Sequence, residues 1–360
     1  MEIRNLRMEE KKLRIAFLLP SVISRGPVIF THYLLMGLKE RVKNVEIFYF
    51  KGRVEYDMGV KCTKISCYKA WDFSDFDIIH STMGVPDIYA SLFSKKTIWV
   101  TSMHSYNDKA LKMEKSRFKA WIILFFWEKA LAKAKNVIVS SKQMQDYYEN
   151  YIGHKNYKVI PYGIIEHEYK DINKEDTKKL DEFKKKGYTI IGSVGLLNKR
   201  KGFHQIIKLL QVEKDCAAVI IGEGPELGSL CKLADEMGVT DRVFFPGYRD
   251  ESYNYYQYMD IYAHVSYSEG FGLALLEAMS KRKPVICSQL DIYKDYFDEN
   301  DVAYFEAGNI LSLKTAYNKI IRKLEVYSEA SYRLYEKFFS LANMTNEHIR
   351  YYFDVLNKEL

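Results

Sequence analysis

Twelve short runs rich in apolar, β-branched and aromatic residues punctuate this chain, and longer amphipathic segments separate them. In the first half they are RIAFLLP at 14–20, VEIFYF at 45–50, FDIIHS at 76–81, TIWVTSMH at 97–104, NVIVSS at 136–141 and YKVIPYG at 157–163. The second half repeats the pattern with TIIGSVG at 189–195, CAAVIIG at 216–222, RVFFPG at 242–247, IYAHVS at 261–266, PVICS at 284–288 and VAYFE at 302–306. Near-continuous apolar strands alternating with helices mean parallel sheets covered on both faces, so the class is α/β. With 360 residues, 48% of them apolar, the chain can bury more than one core, and two doubly wound domains are expected. The charged segment 166–187, with few aliphatic residues and a glycine at its end, is predicted to be the linker between a domain at 1–165 and a second beginning at 188. In open sheets of this kind ligands bind beyond the carboxyl ends of the strands, so function is sought in the loops that follow them.

Several classes fall away on composition. The longest uninterrupted apolar run, AWIILFFW at 120–127, is far short of the roughly 20 residues that a membrane-spanning helix needs. The opening MEIRNLRMEEKKLR is polar and mixed in charge, unlike a secretory signal, which points to the cytoplasm. Cys62, Cys67, Cys216, Cys231 and Cys287 lack the paired short spacings of a zinc site and read as small core residues. A net charge of +7, spread along the chain, suits anionic partners such as nucleotide phosphates, acidic lipid head groups or nucleic acid, and equally suits a solvated lysine surface.

Three loops after second-half strands carry glycines: SVGLLNKRKG at 193–202, IIGEGPE at 220–226 and SEGFG at 268–272. Glycine lets a backbone approach a ligand closely, and a helix starting just beyond offers N–H groups to a phosphate; a tight strand-to-helix turn explains any one of these loops as well. After SEGFG, Leu273, Leu275, Leu276 and Met279 recur at helical spacing, which places Glu277 on a helix otherwise built for burial, eight positions after Glu269. A carboxylate buried there needs a partner.

Taken together, SEGFGLALLEAMSKRKPVI, GEGPELGSLCKLADEMGVTDRVFFPGY and SVGLLNKRKGFHQII resemble the nucleotide-sugar-binding domain of retaining glycosyltransferases of family 4. The resemblance covers about residues 157–310 and is weaker before that. It implies the GT-B fold: two Rossmann-like domains facing a central cleft, the second at 188–342, and a helix at 343–360 that returns to the first. It also implies a nucleotide-sugar donor, a glycan or lipid-linked acceptor, no nucleic acid partner, no cofactor and no metal. By the same resemblance Glu277 accepts hydrogen bonds from the ribose hydroxyls and Glu269 reaches the transferred sugar. Backbone at Gly270, Phe271, Gly272 and Leu273 meets the sugar and diphosphate, as does the loop at Gly195. Lys201 neutralises charge on the departing diphosphate. Where the family has an arginine this chain has Leu196, and Arg200 or Lys199 is the candidate replacement. Tyr248 and Arg249 are expected to border the base.

In the first half, PSVISRGPVIFTHYL looks like a reduced form of the family's glycine turn, with Gly26 retained and Pro27 beside it. His104, ending TIWVTSMH, resembles the histidine that lies beside the sugar, while His32 and His80 are expected to be structural. Tyr162 stands where the family has asparagine in V-I-P-N-G-I. Transfer is expected with retained anomeric configuration, the leaving phosphate helping to deprotonate the acceptor. Other readings of the same fold are an epimerase, a nucleic-acid glucosyltransferase or a binding protein without turnover, the last favoured by Leu196.

One further stretch, 109–135, sets Phe118, Trp121, Ile122, Phe125, Phe126 and Trp127 between lysines. A basic, aromatic-rich helix can lie in a bilayer interface, at the inner face of the membrane; a core helix with snorkelling lysines is the other reading.

Overall fold

A computed structural model of the chain describes residues 10, 12–23, 26–82, 84–94, 97–106 and 117–359, with backbone alone at 117–120 and 359. Most of the N-terminal stretch read for a secretory signal, residues 109–116 and the side chain of Phe118 therefore lie outside the described residues. The chain forms two compact units, Met1–Ile165 with Phe339–Leu360, and Glu166–Phe338.

The first unit holds strands β1 (Arg14–Val22), β2 (Asn44–Val54), β3 (Cys62–Lys64), β4 (Ile78–Thr82), β5 (Ile98–Ser102), β6 (Asn136–Val139) and β7 (Asn156–Val159). They form one parallel sheet in the order β3-β2-β1-β4-β5-β6-β7. Every residue of β4 is buried, the polar His80, Ser81 and Thr82 included, as in a strand covered on both faces. β3 was not foreseen: three residues at a sheet edge, none strongly apolar, carry almost no sequence signal. Helices Gly26–Leu38, Val85–Phe93, Arg117–Lys133 and Lys142–Ile152 connect the strands. The last of these starts where Ser141 accepts a hydrogen bond from the Met144 amide, which satisfies one of the orphan donors of the first turn.

The second unit holds β8 (Thr189–Val194), β9 (Cys216–Ile221), β10 (Val243–Gly247), β11 (Ile261–His264), β12 (Val285–Ser288) and β13 (Ala303–Phe305), again parallel, in the order β10-β9-β8-β11-β12-β13. Helices His204–Val212, Leu227–Glu236, Leu273–Ser280, Ile310–Ile321 and Leu324–Leu334 join them. Ile191, Ala218, Ile220, Ile206, Leu210 and Leu313 share its core. In both sheets the strand order reverses beside the first strand of the unit, between β1 and β4 and between β8 and β11, and these switch points open crevices at the carboxyl ends.

The segment 166–187 is not a free linker. Its residues Lys174–Lys185 form a helix, started by Asn173 accepting from the Asp176 amide at 2.8 Å, that fully buries Leu180 and Phe183. Two apolar residues three apart on one helical face anchor it despite its charge. The second unit accordingly begins at Glu166, not 188, and ends at Phe338, not 342. The return is fixed early because Phe339 is fully buried and Ile164 bridges Ser340; the final helix runs Leu341–Glu359 rather than 343–360 and packs in the first unit. A Cβ on Gly37 would lie 1.9 Å from Thr345 Oγ1, so only glycine permits this approach of the two helices. Cys216 and Cys287 are core residues as expected, but Cys231 is exposed on a helix and Cys62 and Cys67 are half-buried; all are free.

Candidate active site

The β8/β11 switch point brings together residues 68 or more positions apart. After β8 the chain makes a short turn, Lys199–Lys201, held by Asn198 accepting from the Lys201 amide at 3.1 Å. After β11 comes the SEGFG turn. Lys201 Nζ lies 2.6 Å from Glu269 Oε1, and Arg200 Nη1 lies 3.1 Å from Glu269 Oε2 and 2.6 Å from the Ser268 carbonyl. Ser266 donates to Glu269 Oε1 at 2.6 Å. The Glu269 side chain is only 5% exposed. Burial alone would raise its carboxyl, yet Lys201 and Arg200 beside it hold it below the usual carboxylate range. His264 Nε2 stands 3.7 Å from the same oxygen, but burial pushes this histidine down to about 4, so it is neutral at pH 7 and the ion pairs are those with Lys201 and Arg200. Two cations meet one carboxylate. The cluster keeps a surplus positive charge at the mouth of two strand-following loops.

The carboxylate buried with partners is Glu269, contrary to the expectation for Glu277. Glu277 is half-buried on helix Leu273–Ser280, where Leu275, Leu276 and Met279 turn inward, and Tyr256 donates to its Oε2 at 3.2 Å. Gly272 caps that helix with φ +95, a conformation L side chains rarely adopt, and a Cβ there would come within 3.0 Å of His264 Cε1. Phe271 is buried; Gly270 and Leu273 flank it at the half-exposed edge of the turn. Gly195 lies against Lys201, its added Cβ 3.4 Å from Cε. Leu196 is 56% exposed and supplies no charge, and Arg200 is the residue that brings a second cation to the cluster. Tyr248 is exposed. Arg249 is engaged elsewhere: it contacts Asp176 Oδ2 at 2.9 Å and the Tyr255 hydroxyl at 2.8 Å, tying helix Lys174–Lys185 to the loop after β10.

Sequence reasoning did not single out Ser266, His264 or Tyr293. A histidine interrupting the apolar run IYAHVS was the available signal, since a buried imidazole must find partners. Here Tyr293, on the turn after β12, lies 2.8 Å from His264 Nε2 and donates to the Phe271 carbonyl at 2.7 Å.

In the first unit His104 follows β5 and is buried, its Nδ1 2.5 Å from the Tyr162 hydroxyl; the residue that departs from the family pattern is thus the partner of the histidine. Phe30 packs against both rings, with centroids 4.7 and 4.6 Å away. His80 lies between Tyr352, at 2.7 Å, and Ser102, at 2.6 Å, and stacks on His348, which donates from Nδ1 to the Met344 carbonyl. Burial pushes His104 down to about 3 and His348 to about 4, and holds His80 well below 6.5. Gly26 opens helix Gly26–Leu38 from an exposed position. Helix Arg117–Lys133 divides its aromatics: Trp127 is 1% exposed and donates to Asp87 at 2.7 Å, whereas Trp121 is 62% exposed beside exposed Phe125 and Phe126, with Lys129 Nζ 4.4 Å over the Phe125 ring.

Two parallel-sheet Rossmann-like units and a cationic cluster at a strand switch point define a GT-B type of protein. Anabaena Alr3699/HepE, solved in complex with UDP and glucose, has the same fold, with a TM-score of 0.77 and 16% identity over 96% of this chain and all of that one. Residues 174–337 match the family of glycosyl transferases group 1, and residues 28–167 match glycosyltransferase family 4. The chain belongs to these glycosyltransferases and is an enzyme that depends on a nucleotide sugar. It is 28% identical over 298 residues to the O-antigen biosynthesis glycosyltransferase WclY of Escherichia coli, covering 80% of this chain and 83% of that one. It is 26% identical to the N-acetylgalactosamine-N,N'-diacetylbacillosaminyl-diphospho-undecaprenol 4-alpha-N-acetylgalactosaminyltransferase of Campylobacter jejuni, over 56% of this chain and 53% of that one.

Proposed function

We propose that the second unit binds the donor diphosphate at Lys201 and Arg200 and that the sugar passes to its acceptor with retained anomeric configuration. The surplus positive charge at Glu269 carries this reading: a paired carboxylate keeps both cations oriented without cancelling them, so an incoming diphosphate meets preorganised charge. Glu269 and the SEGFG turn take the sugar, and Glu277 takes the ribose diol. In the reaction the bond from the anomeric carbon to phosphate breaks while the bond to the acceptor oxygen forms on the same face, and the acceptor proton passes to the departing phosphate oxygen. No side chain forms a covalent bond, so positioning and charge stabilisation supply the rate. Lys201 and Arg200, rather than a metal, meet the diphosphate charge. Incubation with a panel of nucleotide sugars and a glycan or lipid-linked acceptor, scored for nucleoside diphosphate release and for the anomeric coupling of the product by NMR, tests the reading. An inverted product would end the retaining assignment.

The exposed face of helix Arg117–Lys133 supports contact with an anionic membrane, which would place the enzyme in the cytoplasm at the inner face, where lipid-linked acceptors are presented. Aromatics 121, 125 and 126 with Lys129 suit a headgroup region. Among the described residues no helix is long and apolar enough to cross a membrane. Trp121→Ser with Phe126→Ser should abolish sedimentation with phosphatidylglycerol vesicles while leaving turnover of a water-soluble acceptor intact; unchanged sedimentation would refute the contact.

A further inference from the structure

The hydrogen-bond chain from His264 through Tyr293 ends on the Phe271 carbonyl, inside the SEGFG turn. The Phe271 oxygen can only accept, so the Tyr293 hydroxyl donates to it at 2.7 Å, and the tyrosine oxygen in turn must accept from His264 Nε2 at 2.8 Å. His264 is therefore the Nε2–H tautomer. Both residues are buried, and Tyr293 is clamped by Phe297, stacked at 5.2 Å, with the Phe271 ring against its edge at 5.9 Å.

The Phe271–Gly272 peptide is trans, and in a trans peptide the carbonyl and the N–H point in opposite directions. Drawing the Phe271 oxygen inward to Tyr293 turns the Gly272 N–H outward. Glycine at 272 accepts φ of either sign, so its own conformation sets little barrier to a flip of this peptide. A flipped peptide would present a carbonyl oxygen, and so a partial negative charge, where an anion is to bind.

The geometry points to Tyr293, held by His264, as a positioning residue for sugar transfer: it locks the Phe271–Gly272 peptide with its N–H toward the donor diphosphate. This rests on the donor-site reading above, so Lys201→Ala serves as the control for that reading.

The test is calorimetric binding of uridine, guanosine and adenosine diphosphates and inorganic pyrophosphate to the full chain, with glycine-selective ¹⁵N labelling to follow the Gly272 amide. Tyr293→Phe should weaken the tightest of these ligands about fivefold to tenfold, the worth of one hydrogen bond, and the Gly272 resonance should no longer shift on binding. His264→Leu should do the same. His264→Gln, which keeps an N–H near the position of Nε2, should restore most of the affinity. If Gln is no better than Leu, the histidine only fills space and the relay is wrong. Should Tyr293→Phe fold poorly, the two His264 variants and the Gly272 shift decide the matter. Wild-type affinity in Tyr293→Phe and His264→Leu alongside lost affinity in Lys201→Ala would overturn the relay and leave the donor site standing. Full affinity together with full turnover in Lys201→Ala, or no binding in the wild type, would bring down the donor site itself.

Discussion

Each unit buries a polar cluster, in the second beyond the switch-point strands β8 and β11 and in the first on β4, after β5 and on the final helix, yet the two are built from opposite materials. In the second unit the buried Glu269 keeps its charge because Lys201 and Arg200, half-buried beside it, offset the cost of burying it. In the first, His80, His104 and His348 are buried with hydroxyls, a backbone carbonyl and aromatic rings, and stay neutral. A charged cluster suits a diphosphate, whose own charge must be met. A neutral one suits hydroxyl groups, for which donors and acceptors suffice and a fixed charge would only add a desolvation cost.

Acid should separate the units most strongly. Unfolded histidine takes a proton near its ordinary value of 6.5, while burial keeps His348 neutral down to about 4 and His104 to about 3, and holds His80 well below 6.5. Below 6.5 the unfolded chain then binds more protons, so first-unit stability is complete above that pH and falls as pH drops toward 4 and 3. The second unit has one such buried histidine, His264, and Glu269 holds its contribution until pH falls below the usual carboxylate value of 4.5. All four tryptophans, Trp71, Trp99, Trp121 and Trp127, precede residue 165, so tryptophan emission, excited selectively over tyrosine, reports the first unit alone. Fluorescence should change at a higher pH than hydrogen exchange in β8 and β11; the reverse order would break the comparison.

Next in size, Lys201→Ala should lower turnover by on the order of 10²-fold or more, and by more than it weakens ground-state binding, if its charge serves the leaving group. Equal losses in the two would reduce it to a binding residue. Glu277→Gln should weaken the donor by about 1.5–3 kcal/mol through loss of a charged acceptor for the ribose diol, with the fold intact; unchanged affinity by calorimetry would remove that role. Smallest is Tyr162→Phe, which takes away the partner of His104 Nδ1 and should cost about 1 kcal/mol in a thermal melt, with little change in donor affinity.

The same contrast governs what could be read from the sequence. All twelve apolar runs became strands because burial on both faces leaves a local signature, whereas β3, at an edge, has none. Glu269, Lys201, Arg200 and Gly272 stood out because each sits in a short glycine-bearing loop. Their pairing did not, since Lys201 and Glu269 are 68 residues apart and meet only through the sheet order. The linker was misjudged for a related reason: Asp176 and Arg249, 73 residues apart, fix a helix whose own apolar content is slight. Tyr293 was silent because nothing near it marks a tyrosine whose hydroxyl is spent on a distant carbonyl.

The bridge between Ile164 and Ser340 has a consequence for how the protein is made. Ile164 donates to the Phe339 carbonyl at 2.9 Å and accepts from the Leu341 amide at 2.8 Å, so the strands leaving and re-entering the first unit run side by side. Topologically the second unit is an insertion between neighbouring backbone positions. On the ribosome it is continuous and can fold as it emerges, while the first unit waits, its sheet complete but His80 without Tyr352 and Gly37 without Thr345, until residues 341–359 appear. The enzyme is thereby assembled out of order, the unit begun first being the last one finished.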